Sequence, residues 1–151
     1  MAIKYEGDGD IFLSKRQTLI CPVNTKGVMG NGLAAAFRMR CPGLFEAYKE
    51  KCNSGELTIT DLYLFEPKKG PKVLCFPTKD EWWNDSKREW IEANVRKLSE
   101  EYEAMGITSI AVPPIGCGKG GLDYILKIKQ NLHRYLDPID LEVDILFHDV
   151  R

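Results

Sequence analysis

Two glycine-rich stretches limit what this chain can fold into more than any other feature. The first runs Asn24-Thr25-Lys26-Gly27-Val28-Met29-Gly30-Asn31-Gly32-Leu33. It follows the apolar run Thr18 to Val23 and leads into the helix formers Ala34-Ala35-Ala36-Phe37. The second runs Pro114-Ile115-Gly116-Cys117-Gly118-Lys119-Gly120-Gly121-Leu122-Asp123, after the apolar run Ser109 to Val112. Each reads as strand, glycine loop, helix. Glycines let backbone N–H groups come close to an anion, and the helix start adds partial positive charge. Either loop alone is equally readable as an ordinary strand-to-helix turn. Both match the loose G-x-G-x-x-G/A pattern, at Gly30/Gly32/Ala35 and Gly116/Gly118/Gly121. A dinucleotide site also needs an acidic residue ending the next strand, about 20 residues on. After the first loop that region is the helix around Tyr48-Lys49-Glu50; after the second, Glu142 and Asp144 fall in the final strand. Neither satisfies the pattern. Two such loops at the ends of buried strands look instead like two jaws on one phosphate-bearing ligand.

The rest of the chain supplies matching elements. Ile3 to Tyr5 is a short first strand, Leu33 to Met39 a helix, and Leu44 to Cys52 a second helix with Pro42 in its first turn. Leu62 to Phe65 and Val73 to Phe76 are strands around the turn Pro67-Lys68-Lys69-Gly70-Pro71. Ser86 to Met105 carries apolar residues at three- and four-residue spacing and stops at Gly106. Leu122 to Leu136 is an amphipathic helix, and Glu142 to Phe147 the last strand. Strands and helices interleave, so the class is α/β with a mixed or mostly parallel central sheet. At 151 residues, residues 1–151 form one domain, with no repeat or linker.

The formal charge of −1 excludes a binder that depends on general phosphate neutralisation. The five cysteines show no C-x-x-C pair, and no histidine–cysteine spacing suggests a metal site. A reduced, cytoplasmic protein without signal peptide or membrane span is the expectation.

A third strand end carries Phe76-Pro77-Thr78-Lys79-Asp80-Glu81-Trp82-Trp83. A lysine there is by itself an ordinary solvated residue. The adjacent tryptophans are either core or a platform for bases. Lys68, Lys69 and Lys72 read as clustering with Lys79 around one hairpin near Trp82 and Trp83, with Lys15 and Arg16 as a second basic pair. The same residues are also readable as scattered solubilising charge.

These phrases, taken together, resemble a known family. Gly9-Asp10-Ile11, PVNTKGVMGNGLA (Pro22 to Ala34), FPTK (Phe76 to Lys79) and PPIGCGKGGLDY (Pro113 to Tyr124) resemble the macrodomains. They are most similar to the branch holding the terminal ADP-ribose protein glycohydrolase and the DarG antitoxins, which reverse DNA ADP-ribosylation by DarT toxins. The resemblance runs from about Gly9 to the last strand. It implies a three-layer α/β/α fold with a central, mostly parallel sheet of about six strands. It implies ADP-ribose as ligand and product, with no cofactor. Asp10 and the Ile11 backbone would hold the adenine. Asn24, Gly30, Asn31, Gly32 and Leu33 would hold the distal ribose and part of the diphosphate. Thr78, with Ile115, Gly116, Cys117, Gly118, Lys119, Gly120, Gly121 and Leu122, would complete the ligand site. Lys79 matches the catalytic lysine. The protein glycohydrolase carries an aspartate where this chain has Gly120, and Asp123 reads as a helix N-terminal residue.

The implied substrate is ADP-ribose joined to thymine in single-stranded DNA, with Lys68, Lys69, Trp82 and Trp83 as DNA contacts and a DarT-type toxin as partner. The 151 residues then fit the N-terminal part of a longer antitoxin. Lys79 acts either as a neutral amine, which requires a pKa well below ~10.4, or as a cation that orients the substrate. Cys117 lacks a histidine marked as its base. The alternatives are a glycohydrolase for ADP-ribosylated glutamate in proteins, a reader without turnover, and an interaction module for a toxin.

Overall fold

The structure is a computed structural model and describes residues 1–30, 32–81, 86–115 and 123–147, with the side chains of residues 125 and 126 set aside. Its strands are β1 (Ile3–Asp8), β2 (Thr18–Asn24), β3 (Tyr63–Phe65), β4 (Lys72–Lys79), β5 (Ser109–Val112) and β6 (Glu142–Phe147). Its α-helices are α1 (Gly32–Arg40), α2 (Leu44–Asn53), α3 (Arg88–Glu101) and α4 (Lys129–Leu136). The six strands form one sheet in the order β1-β6-β5-β2-β4-β3. Every pairing is parallel except β3 with β4.

Strand alternation sorts the apolar residues onto two faces. Ile20, Leu74, Phe76, Ile110, Val112, Val143 and Ile145 pack against Ile91, Val95 and Leu98 of α3 and Leu132 and Leu136 of α4. On the other face Leu19, Cys21, Val23, Val73, Cys75 and Ala111 pack against Phe37 of α1 and Leu44 and Tyr48 of α2. The expected three layers and six strands are therefore present. A fully buried phenylalanine such as Phe76 contributes roughly 2–3 kcal/mol by leaving water.

Several boundaries differ from those read in the sequence. Pro42 stands outside α2, whose N-cap is Gly43 at φ 87°. Gly permits that left-handed conformation without a Cβ penalty. The last helical region opens with a π turn, Tyr124–Ile128, before α4. Strand β4 continues through Pro77 to Lys79, beyond the expected end at Phe76. It does so with a register shift: Val23 faces Pro77 and Asn24 faces Lys79, which leaves Thr78 without an opposite residue.

Polar brackets tie the sheet together. Arg16 donates from Nε and Nη2 to the Asp144 carboxylate at 2.8 and 3.0 Å, and from Nη1 to Glu142 at 2.7 Å. It is a clamp between the start of β2 and β6, so Lys15 and Arg16 do not form the expected basic pair. On β1, Glu6 accepts from the Tyr124 hydroxyl, lies 2.8 Å from His133 Nε2 and faces Lys129 at 3.9 Å. Burial acts to raise the Glu6 carboxyl, but the hydrogen bonds from Tyr124 and His133 and the nearby charges outweigh it and hold it below 4.5. A carboxyl depressed by folding stabilises above its unfolded pKa and loses that contribution as pH falls through its folded pKa. Glu6→Gln should therefore cost on the order of 1 kcal/mol at neutral pH. Urea titrations of both proteins should show the gap shrinking below pH 4.5.

Candidate active site

The chain leaves the neighbouring strands β2 and β5 for helices on opposite faces of the sheet. The first glycine loop follows β2 into α1, on the face of α1 and α2. The second follows β5 toward α4, on the face of α3 and α4. In an open α/β sheet this reversal opens a crevice beyond the carboxyl ends of the two strands. The pairing agrees with that. The β2–β5 ladder covers only Thr18↔Ile110 and Leu19↔Ala111, whereas β2 runs on to Asn24 beside β4.

Around this crevice the structure places part of the expected site. Asn24 ends β2, is 8% exposed, and pairs in register with Lys79, the last residue of β4. Lys79 is half-buried and Thr78 before it is 4% exposed. Ile115, at the mouth of the second loop, is fully buried in the core of the α3–α4 face. Asp10 follows β1 at the same edge and is exposed. Its Oδ1 accepts from the Phe12 backbone N–H at 2.9 Å, capping the 3-10 turn Ile11–Leu13. The Ile11 side chain is buried, so only its backbone can meet a ligand. Gly30 is exposed, Gly32 opens α1 at φ 58°, and Leu33 packs under the loop. Asn31, Trp82, Trp83 and the stretch Gly116, Cys117, Gly118, Lys119, Gly120, Gly121 and Leu122 lie outside the described residues. Asp123 is exposed, and its carbonyl accepts from Lys127 N–H at 2.9 Å, as expected of a residue at a helix start.

The shape of the first loop comes from Asn24 and from side chains without a motif of their own, Tyr48, Thr25 and Asp80. Asn24 Nδ2 donates to the Val28 carbonyl at 2.7 Å, and Asn24 Oδ1 accepts from Lys26 N–H at 2.9 Å. The buried Tyr48 hydroxyl reaches Asn24 O at 2.7 Å and Oδ1 at 2.8 Å. Both ends of the Asn24 carboxamide are thus engaged in holding the loop. Gly27 sits at φ 80°, and a Cβ there would meet Lys49 Cγ at 3.2 Å. The loop is also latched to the lysine strand. Thr25 donates from its N–H to the Asp80 carbonyl at 3.3 Å and from its hydroxyl to the Asp80 carboxylate. Lys26 Nζ lies 3.7 Å from Asp80 and 3.4 Å from Glu81. A threonine four residues after a strand midpoint carries no sequence signal for this latch; only the β2–β4 register reveals it.

The expected basic cluster is corrected. Lys68 and Lys69 lie in the β3–β4 turn, which precedes Lys72, whereas Lys79 ends β4. At ~3.3 Å per residue the two ends of β4 are roughly 20 Å apart. Lys72 is paired with Glu66 at 3.3 Å. Among the described residues no group of three or more histidine, cysteine or acidic side chains could hold a metal ion. No helix among them is long and apolar enough to cross a membrane.

The Macro domain family model matches residues 20–125, and the chain belongs to the macrodomain family. A Mycobacterium tuberculosis protein named DNA ADP-ribosyl glycohydrolase is 40% identical over 121 residues, covering 78% of this chain and 34% of that protein. A Thermosipho africanus DNA ADP-ribosyl transferase–glycohydrolase fusion protein is 35% identical over 156 residues, covering 91% of this chain and 40% of that protein. The chain therefore spans roughly a third to two fifths of these curated relatives. Among solved structures, the Mycobacterium tuberculosis DarG macrodomain superposes with TM-score 0.89 at 34% identity, covering 95% of this chain and 96% of that one. Thermosipho africanus DarTG in complex with ADP-ribose superposes with TM-score 0.92 at 32% identity, covering 100% of this chain and 43% of that one.

Two outcomes follow from the packing under the loop. Tyr48→Phe removes the donor to Asn24 and should destabilise the fold by about 1–3 kcal/mol, read from urea unfolding. Burial pushes the thiols of Cys21, Cys41, Cys52 and Cys75 above the usual 9.0. Thiolate is the reactive form. In the native protein at neutral pH these four should alkylate far more slowly with iodoacetamide than they do in urea, as followed by peptide mass spectrometry.

Proposed function

We propose that this macrodomain binds ADP-ribose across the β2/β5 crevice and hydrolyses the N-glycosidic bond of ADP-ribosylated thymidine in single-stranded DNA, reversing a DarT-type toxin in a reduced, cytoplasmic setting. The observation that carries the reading is the register pairing of Asn24 with Lys79 at the crevice rim. It sets the one half-buried cation of the FPTK phrase beside the loop that would take the distal ribose. The names of the relatives support the same chemistry, and one of the similar structures is a complex with ADP-ribose.

In this reading Asp10 and the Ile11 backbone take the adenine, and Ile115 to Leu122 wrap the diphosphate through N–H groups. Asn24 acts through the loop it shapes, with Gly30 to Leu33 closing over the ribose. Thr78 lies beneath Lys79. Hydrolysis adds water at the anomeric carbon and returns a proton to the departing thymine. Lys79 has two roles that fit. As a cation it stabilises the leaving base; as a neutral amine it attacks the anomeric carbon. Lys79→Arg separates them, because arginine keeps the charge and has no nucleophilic amine.

Lys79→Ala should abolish release of ADP-ribose while ADP-ribose affinity, measured calorimetrically, changes little. Wild-type protein should be given an ADP-ribosylated thymidine oligonucleotide and, separately, a protein carrying ADP-ribosyl-glutamate. Free ADP-ribose from the first alone supports the proposal. Release from the second alone makes the chain a protein glycohydrolase, and release from neither makes it a reader.

A further inference from the structure

We propose that the flank of the first glycine loop, formed by Lys49, Phe45, Arg38, Met39 and Arg40, is a docking track for the single strand of nucleic acid that carries the modified base. The inference rests on the DNA reading above and names where the strand runs. Four observations carry it.

The track begins at the site. Lys49 touches Gly27, where a Cβ would meet its Cγ at 3.2 Å, and Gly27 belongs to the loop that Asn24 holds beside Lys79. Along α2, Phe45 lies four residues from Lys49, about 6 Å at ~1.5 Å per residue.

The cations are presented on aromatic faces. The Arg38 guanidinium sits 3.6 Å from the Phe45 ring centroid, and Lys49 Nζ 5.7 Å from the same ring. Arg40 sits 4.5 Å from the ring of Phe12, which follows the Asp10 turn by two residues. Cations held this way keep their donors directed outward for phosphate or base edges.

The charge is uncommitted. Lys26, Lys51, Lys72, Arg96 and Lys97 each face a carboxylate within 4.0 Å. Arg38, Arg40 and Lys49 form no such ion pair among the described residues, although α2 also carries Glu46 and Glu50.

The patch is amphipathic. Met39, between the two arginines, is 86% exposed. An exposed methionine flanked by exposed arginines suits stacked bases with phosphates alongside, and a chain of net charge −1 needs such a local patch to hold a polyanion at all. The hairpin lysines Lys68 and Lys69 lie in the β3–β4 turn, at the other end of β4 from Lys79.

The test uses binding of a short, unmodified, fluorescein-labelled thymidine oligonucleotide, followed by anisotropy over a salt series. Each phosphate contact on a single strand adds about 0.7 to the slope of log affinity against log salt. Neutralising the track with Arg38→Gln, Arg40→Gln and Lys49→Gln together should weaken binding about tenfold at low salt and flatten the slope by about 2. Lys68→Gln with Lys69→Gln should bind within about twofold of wild type. ADP-ribose affinity should be unchanged in both, which reports an intact fold. Equal binding by wild type and the triple variant, loss equal to that of the hairpin variant, or no salt-sensitive binding by wild type would overturn the track. A wild type that binds through these residues and releases no ADP-ribose from modified thymidine would instead overturn the hydrolase reading and leave the track standing.

Discussion

The structure depends on the parallel pairing of β2 with β4, seven residue pairs long and buried on both faces. Because parallel partners cannot be joined by a tight turn, β2 must reach β4 by way of α1, α2 and β3, and β5 must reach β6 by way of α4 on the other face. That pair of crossings sets the reversal between β2 and β5. The crevice is thus a by-product of connectivity, and the glycine loops are what the chain places in it. The lysine strand comes along for the same reason: β4 is the other neighbour of β2, so its end is beside the first loop.

Much of this was legible in the sequence. The apolar runs marked the buried strands, and the glycine loops marked their carboxyl ends. What was not legible has physical causes. A proline lacks the N–H that a strand ladder uses, so the run from Pro77 did not read as strand and the last three residues of β4 were hidden. The π turn at Tyr124–Ile128 has no periodicity of its own; it is held by a hydroxyl reaching back to Glu6 on β1, more than a hundred residues away. The misplacement of Lys68 and Lys69 came from treating nearness in sequence as nearness in space. A hairpin turn and the far end of its second strand are separated by the strand's full length.

The site shows the same division. Asp10, Lys79 and the loop glycines stand out by type or motif. Tyr48, Thr25 and Asp80 do not, because their contribution is to hold other groups. Asn24 lies between the two: motif singles it out as a ligand residue, while its hydrogen bonds show it shaping the loop.

Thr78 has no partner across the ladder, and this bears on how the chain can vary over time. Substitution there changes one buried side chain. Loss of that residue would remove the bulge and its local bend and twist, while the lysine would still meet Asn24 in register. The lysine's aim is therefore written in the length of the strand as much as in its composition. Descendants of this chain can exchange letters along Pro77 to Lys79 one at a time, but a change of length in that interval would re-aim the lysine through the bend of the strand and leave its chemistry untouched.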